Sequence, residues 1–350
     1  MKKRKITFLL TPGGGPGILA LVHSLKISKK YQVRIVMADS NPASGNMFLE
    51  SIDKRYQVPN CHDSEFIPAM LRLIKCECID YYYSGLDEEM PVISRNKELI
   101  NAIGCKVLLP PEGSLEKSWD KLATHKFLER TEVRLPRTWV LSDLQDPLVI
   151  FKKLTGRVII KGISSRGGRY IDIPEDQEEF ICAIKRAYKI REQTGMEYIL
   201  QEYIIGAEYN VSILHDNNKR LIYAVSRRKF EERKIKSTTI AAVIHQRDDV
   251  IEQALYVINE MKLVPGFNNV EMVVSDNDGL PYFIEVNGGR AAAQDMNIVA
   301  SGINITDLFI DLAEGRNVKS IPHPKDGLAS LKIRSDVIVD YSDIIQVPRI

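Results

Sequence analysis

The order of apolar and polar positions divides the chain into three stretches. Over the first ~115 residues short apolar runs alternate with helical patterns, as an open parallel sheet requires. Ile6 to Leu10 reads as a strand, and Gly17 to Lys29 as an amphipathic helix with Ile18, Leu21, Val22 and Leu25 on one stripe. Gln32 to Ala38 is a second strand, ending at Asp39. Glu65 to Lys75 reads as a helix, Ile79 to Tyr83 as a strand, Pro91 to Ile103 as a helix and Lys106 to Leu109 as a strand. Pro110-Pro111 then stops the pattern. From Ser118 a helix carries Asp120, Lys121 and Lys126. A small α/β unit follows Pro136, with strand Thr138 to Leu141, helix Asp143 to Leu154 and strand Arg157 to Gly162. The loop Ser164-Ser165-Arg166-Gly167-Gly168-Arg169 leads to strand Tyr170 to Ile173 and helix Glu175 to Glu192. Strands and helices continue from about Glu197, beginning with Tyr198 to Ile205, and Leu328 to Val339 reads as strands closing the sheet. The expected fold is α/β, turning to α+β in the C-terminal half, in units 1–115, 116–196 and 197–350.

The most informative run is Pro281-Tyr282-Phe283-Ile284-Glu285-Val286-Asn287-Gly288-Gly289-Arg290. Strand alternation puts Glu285 and Asn287 on one face and Ile284 and Val286 on the other, toward a core. Upstream, Asn269 to Val274 reads as a second strand, and Ser275-Asp276-Asn277-Asp278-Gly279 as the turn between them. A hairpin centred near Asp278 sets Glu271 opposite Glu285. Facing carboxylates repel. They are tolerable at a solvated edge, or they become favourable around a hard cation such as Mg2+, which accepts a few carboxylates and leaves room for phosphate oxygens.

Composition narrows the classes. The chain has 350 residues, 44% apolar and 27% charged, with a net charge of +2, so no global field draws it to nucleic acid or an anionic membrane. No segment approaches a membrane span or a signal peptide, and a cytoplasmic protein is expected. The five cysteines, Cys61, Cys76, Cys78, Cys105 and Cys182, lack the spacing of a zinc motif and read as thiols in a reducing compartment. The loop Thr11-Pro12-Gly13-Gly14-Gly15-Pro16-Gly17 lacks the GxGxxG spacing of a dinucleotide site; its amides could hold a substrate carboxylate at a helix start.

Lys161 ends a strand just before the serine-glycine loop. It either reaches water or meets an anion, and the loop's amides and hydroxyls could close over a polyphosphate. Downstream, the strand through Gln201-Glu202-Tyr203-Ile204-Ile205 runs into Gly206 and Glu208. This is an ordinary strand-turn-strand, or a backbone edge for adenine followed by an acid for ribose hydroxyls. The basic run Arg227 to Lys236 fits a solvated connection, a nucleic-acid patch or a grip on a substrate carboxylate.

In combination these features are more specific. Asp120-Lys121, Lys161 with its glycine loop, Gln201-Glu202 to Glu208, Glu271 and Glu285-Val286-Asn287 occur in one order. The chain resembles the ATP-grasp superfamily, in the branch similar to the carbamoyl phosphate synthase large chain. The resemblance covers nearly the whole chain, including Ser84-Gly85-Leu86-Asp87-Glu88-Glu89 and Ser118 to Leu128. It implies an N-terminal sheet domain followed by a two-subdomain ATP-grasp fold, with ATP and Mg2+ (or Mn2+) as cofactors. It further implies that Lys121 and Lys161 contact phosphates, beneath a mobile loop with Ser164, Ser165, Gly167 and Gly168. Glu202, Tyr203 and Ile204 would form the adenine hinge and Glu208 the ribose contact, with Glu271, Glu285 and Asn287 as metal ligands. The family commonly follows that asparagine with proline and then arginine. Here Arg290 comes one place late, and with Lys161 it is the expected catalytic residue.

The activity so implied is a carboxylate-amine or carboxylate-thiol ligase acting through an acyl phosphate on a small molecule, such as an amino acid. A kinase-like former of acyl or carbamoyl phosphate and a non-catalytic nucleotide-binding subunit are the alternatives. The expected partners are a small-molecule carboxylate and a nucleophile, without nucleic acid or membrane, and a homodimer is allowed. A complete carbamoyl phosphate synthase would need a second synthetase half and an amidotransferase segment, so that activity is not expected of this chain alone.

Overall fold

The computed structural model describes residues 3–15, 17–163, 170–230, 241–333 and 335–350. The first strands, β1 (Arg4–Thr11), β2 (Tyr31–Asp39), β3 (Lys54–Gln57) and β4 (Tyr81–Ser84), form a parallel sheet in the order β3-β2-β1-β4. Both faces are covered, which is why β1 reads as a continuous apolar run: Ile6, Phe8 and Leu10 enter one core and Leu9 the other. The strand expected at Lys106 to Leu109 shrinks to a single bridge between Lys106 and Tyr81, with Val107, Leu108 and Leu109 buried beyond it. The helix expected over Pro91 to Ile103 is two helices, Glu89–Arg95 and Lys97–Ala102. Asn96 lies between them, and its side-chain amide donates to the Val92 carbonyl at 2.8 Å, a local bond that competes with the helical ladder.

A smaller antiparallel sheet follows, of β5 (Thr138–Val140), β6 (Val158–Gly162), β7 (Ile171–Asp172) and β8 (Tyr198–Glu202), in the order β5-β8-β6-β7. With helices Pro147–Lys153 and Gln177–Thr194 it encloses its own core, where the rings of Phe151 and Phe180 stack with centroids 4.4 Å apart. Leu115, Leu128 and Val133 lie instead in the main core. We propose that the lid subdomain therefore runs from about residue 137 to 202, rather than over 116–196.

The third sheet is antiparallel, β13-β12-β9-β10-β11-β14, with β9 (Gly206–His215), β10 (Leu221–Lys229), β11 (Ala241–Ile244), β12 (Gly266–Ser275), β13 (Pro281–Gly288) and β14 (Ala329–Leu331). Among the described residues, only β14 remains of the strands expected over Leu328 to Val339. The chain end returns to the first sheet, where Arg349 bridges Gln57 of β3. Helix Asp248–Glu260 covers one face of the third sheet, setting Val250, Ala254 and Val257 in a core with Val211, Val270 and Met272. The other face is apolar at one end, where Leu214, Val225 and Phe267 meet Phe309. At its other end that face is polar. Among the described residues no helix is long and apolar enough to cross a membrane, and none of the five cysteines is in a disulfide.

Burial on β9 pushes the His215 imidazole down to about 4 from an ordinary 6.5. Below pH 6.5 the unfolded chain takes up a proton that the folded chain refuses, so stability present above 6.5 is lost as pH falls toward 4. The loss should approach about 1.4 kcal/mol per pH unit across that window. Urea denaturation at pH 7 and pH 5 should show this acid sensitivity in the native chain and its reduction in His215→Gln. Equal pH dependence in both would refute the buried neutral imidazole.

Candidate functional site

The polar face is built strand by strand. Gly206 opens β9 so close to β12 that a Cβ there would overlap the Val274 carbonyl. That approach seats Glu208 opposite Val273 and Asn210 opposite Glu271. Across β12 and β13, Glu271 lies opposite Glu285 and Asn269 opposite Asn287, as the hairpin pattern predicts. A bulge at Ile284, just before Glu285, shifts the register, so Phe283 joins the core in place of the expected Ile284, together with Val286. On the far side Arg227 of β10 lies opposite Asn210. One row across four strands thus reads Arg227, Asn210, Glu271, Glu285.

The two facing acids are held by lysines. Lys229 reaches Glu271 at 2.8 Å and Glu208 at 3.4 Å, and Lys121 lies 3.7 Å from Glu285. Burial works against the Lys229 charge, but Glu271 and Glu208 outweigh it and hold its pKa above the ordinary lysine value. Lys121 opens helix Lys121–Leu128, whose first amides, Leu122 and Ala123, donate to the Asp120 carboxylate. Asp120 is therefore the helix cap that orients Lys121. Two carboxylates and the Asn287 amide oxygen form an all-oxygen donor set, which fits Mg2+ or Mn2+ and not a soft metal.

Arg290 comes one place late for strand alternation, and Gly289 corrects its direction. With φ +82° it turns the chain in a conformation that side chains resist, and the Arg290 guanidinium then donates to Asn287 Oδ1 at 2.6 Å. The same guanidinium grips Asp87, Nε to Oδ1 at 2.6 Å and Nη2 to Oδ2 at 3.2 Å. Burial opposes the charge of Arg290, and Asp87 more than offsets it, so the pKa is raised. Asp87 comes from the loop after β4, so the first sheet positions an arginine beside the acids of the third. Tyr83 assists by accepting the Ala291 N–H at 2.9 Å.

The Arg227 end of this face is a buried polar layer. Arg227, with no exposed surface, donates to Asp295 Oδ1 at 2.7 Å and to Asn210 Oδ1 at 2.6 Å. Asn210 donates in turn to Asn269, and Ser212 donates to Asp295 at 2.6 Å. The basic run is thus not solvated at its start; residues 231–240 lie outside the described residues.

The remaining expected residues are placed as follows. Lys161 is buried in β6, its ammonium donating to Gln201 Oε1 at 2.9 Å, so it does not simply project into water at a strand end. Glu202 closes β8 with its carboxylate on Arg137, at 2.9 Å to both Nε and Nη2, and that contact lowers its pKa. Adjacent backbone is tied down too, since Glu202 N–H donates to the Arg137 carbonyl and Tyr203 N–H to the Arg157 carbonyl. Ile204 lies in the short link between β8 and β9. Ser164, Ser165, Gly167 and Gly168 lie outside the described residues. The glycine loop after β1 departs from expectation: its amides are used internally, Gly13 on the Ala38 carbonyl, Gly14 on Asp39 Oδ2 and Gly15 on the Pro12 carbonyl. It cannot offer those donors to a substrate carboxylate.

Lys229, Asp87, Asn210 and Asn269 were missed as individual site residues. A period-two run of polar positions on strands, Glu208-x-Asn210-x-Ser212 and Asn269-x-Glu271, was the available signal.

An ATP-grasp domain model matches residues 118–292, half of the chain, and a PylC-like N-terminal domain model matches residues 14–108. The chain belongs to the ATP-grasp family. The carbamoyl phosphate synthase large chain of Micrococcus luteus is 21% identical, over 99% of this chain and 32% of that protein. The chain thus spans about a third of the length of the curated relatives it matches. In fold it is similar to the biotin carboxylase domain of Hydrogenobacter thermophilus 2-oxoglutarate carboxylase, solved as a dimer with MgADP and bicarbonate (TM-score 0.68, 17% identity, 90% of this chain and 71% of that one). It is also similar to an L-amino acid ligase from Bacillus licheniformis (TM-score 0.64, 14% identity, 90% of this chain and 75% of that one).

Proposed function

We propose that this chain joins a small-molecule carboxylate to an amine by way of an acyl phosphate, using ATP and Mg2+. The observation that carries the reading is the facing pair Glu271 and Glu285, with Lys229 and Lys121 on either side and Arg290 beside Asn287. Glu271, Glu285 and Asn287 would hold the ion. When bound, Mg2+ neutralises charge on the phosphates and polarises the phosphorus for attack. Lys229 and Lys121 sit where phosphate oxygens would replace the glutamates as their partners. Glu208 would take the ribose hydroxyls, and the backbone around Glu202 to Ile204 the adenine edge. No covalent nucleophile is needed, because positioning and charge carry phosphoryl transfer. The substrate carboxylate oxygen forms a bond to the γ-phosphorus as the bond to the bridging oxygen of ADP breaks. Arg290 would stabilise charge on the transferred group. The amine then attacks the acyl carbon, phosphate leaves, and the amine loses a proton to solvent. Amino acid ligation by a protein of similar fold makes amino acids the first substrates to try.

The test is a screen of amino acids and hydroxy acids, singly and in pairs, for ADP and phosphate release with ATP and Mg2+. A ligase shows little turnover until both substrates are present and yields a product with a new amide. Rapid ADP formation with a single carboxylate, and a stable acyl phosphate as product, would overturn ligation in favour of a kinase-like reaction.

Asp87→Asn should lower turnover about a hundredfold, because Arg290 loses the charge that aims it, and small misplacements cost that much. Nucleotide affinity should hold, since Asp87 does not reach the proposed nucleotide contacts. Calorimetric titration with a non-hydrolysable ATP analogue, beside steady-state ADP release, separates the two; unchanged turnover would remove Asp87 from the site.

A further inference from the structure

A second cluster of ligand atoms lies at the C-terminal end of the parallel sheet. Cys61, His62 and Glu88 each bring one ligand atom, and all of these lie within 4.8 Å of one another. Cys61 and His62 occupy the turn after β3, where Asn60 Oδ1 accepts the His62 backbone N–H at 3.1 Å. That asparagine turn folds the backbone back on itself, so adjacent side chains converge instead of pointing apart as they would in a strand. Cys61 Sγ donates to the same Asn60 oxygen at 3.8 Å. Glu88 arrives from the other side, in the loop between β4 and helix Glu89–Arg95. In the order β3-β2-β1-β4, these two loops leave opposite edges of the sheet and meet over its carboxyl ends, where open parallel sheets take their ligands.

Cys61 and Asn60 also line a cavity of about 30 Å³ with Asp39, Ser40 and Glu89. That volume holds a water molecule. We propose that Cys61, His62 and Glu88 bind one transition-metal ion of the Zn2+ type, with a water as the fourth ligand. Thiolate, imidazole and carboxylate together match Zn2+, Co2+ or Fe2+, whereas Mg2+ takes oxygen donors. The site is chemically distinct from the Glu271 and Glu285 pair. It joins the turn after β3 to the loop that carries Asp87, so a bound ion fixes the segment that grips Arg290. Motif spacing conceals it, because Glu88 is remote in sequence from the Cys61-His62 pair.

Co2+ titration of the full chain, stripped with a chelator, provides the test. One Co2+ per chain should bind with a thiolate-to-metal charge-transfer band and intense tetrahedral ligand-field bands, and Zn2+ should abolish both. Cys61→Ser should remove the charge-transfer band, while His62→Ala and Glu88→Gln weaken Co2+ binding tenfold or more. Glu285→Gln should leave the cobalt spectrum unchanged, which separates this site from the proposed Mg2+ ligands. No thiolate band at stoichiometric Co2+, or a band that survives Cys61→Ser and so arises from the exposed Cys76, Cys78 or Cys182, overturns the proposal. If Cys61→Ser does not fold, the other two variants decide: unchanged Co2+ affinity in both refutes the site.

Discussion

Glu285→Gln is expected to lower ATP turnover about a thousandfold while the fold survives, a loss of several kcal/mol of transition-state stabilisation. Glutamine preserves the shape of the side chain and removes its charge. In the folded chain Glu285 faces Glu271 across the hairpin and lies 3.7 Å from Lys121. Loss of one of two opposed carboxylates relieves like-charge repulsion, so the melting temperature should hold or rise slightly. Loss of a metal-binding charge should instead raise the Mg2+ concentration needed for half-maximal turnover. Steady-state ADP release across a Mg2+ titration measures both. Wild-type turnover by the variant at limiting Mg2+ would sink the assignment of Glu285 as a metal ligand.

The opposition of Glu271 and Glu285 was readable in advance because it needs only strand alternation and a turn of the right composition between two runs. The bulge beside it was not. A one-residue slip moves Phe283 into the core at the expense of Ile284, and which of two apolar neighbours packs is settled by the helix and strands behind them. Strand β3, of sequence Lys-Arg-Tyr-Gln, has no apolar alternation and forms because β2 offers it an edge. Tertiary context also decides the opposite case, in which the apolar run at Lys106 to Leu109 is buried yet pairs only through Lys106.

Charge was harder to place than apolarity. Counting bases makes Arg227 to Lys236 a candidate solvated run, but β10 register sets Arg227 opposite Asn210, inside the protein, and Lys229 against two glutamates. Composition has no term for the partner that makes burial of a cation tolerable. Asp295 is that partner, and it follows Arg227 by a long stretch of chain through two hairpin strands. The glycine loop shows the same gap: its exposed-looking amides are consumed by Asp39 and by backbone carbonyls that only the fold brings near.

The Arg227 and Asp295 pair should dominate the stability of the site's floor. Asp295→Asn leaves a guanidinium with no exposed surface facing a neutral amide, and breaking a buried pair in this way costs about 3–5 kcal/mol. The variant also weakens the acceptor for Ser212 and for the Ala292 N–H, which Asp295 holds at 2.6 Å and 2.9 Å. Replacing both partners with apolar residues, Arg227→Met with Asp295→Leu, removes the stranded charge, and most of the lost stability should return. Activity should not return with it. Arg227 fixes Asn210, Asn210 donates to Asn269, and Asn269 stands opposite Asn287, so this chain of polar side chains leads from the buried pair to the proposed metal ligands. The double variant is therefore expected to fold with near-native urea stability and to turn over ATP at least tenfold more slowly, a little over 1 kcal/mol of lost transition-state stabilisation. A loss below about 1 kcal/mol in Asp295→Asn would contradict the buried ion pair; full activity in the double variant would show that the polar layer is structural and does not aim the site.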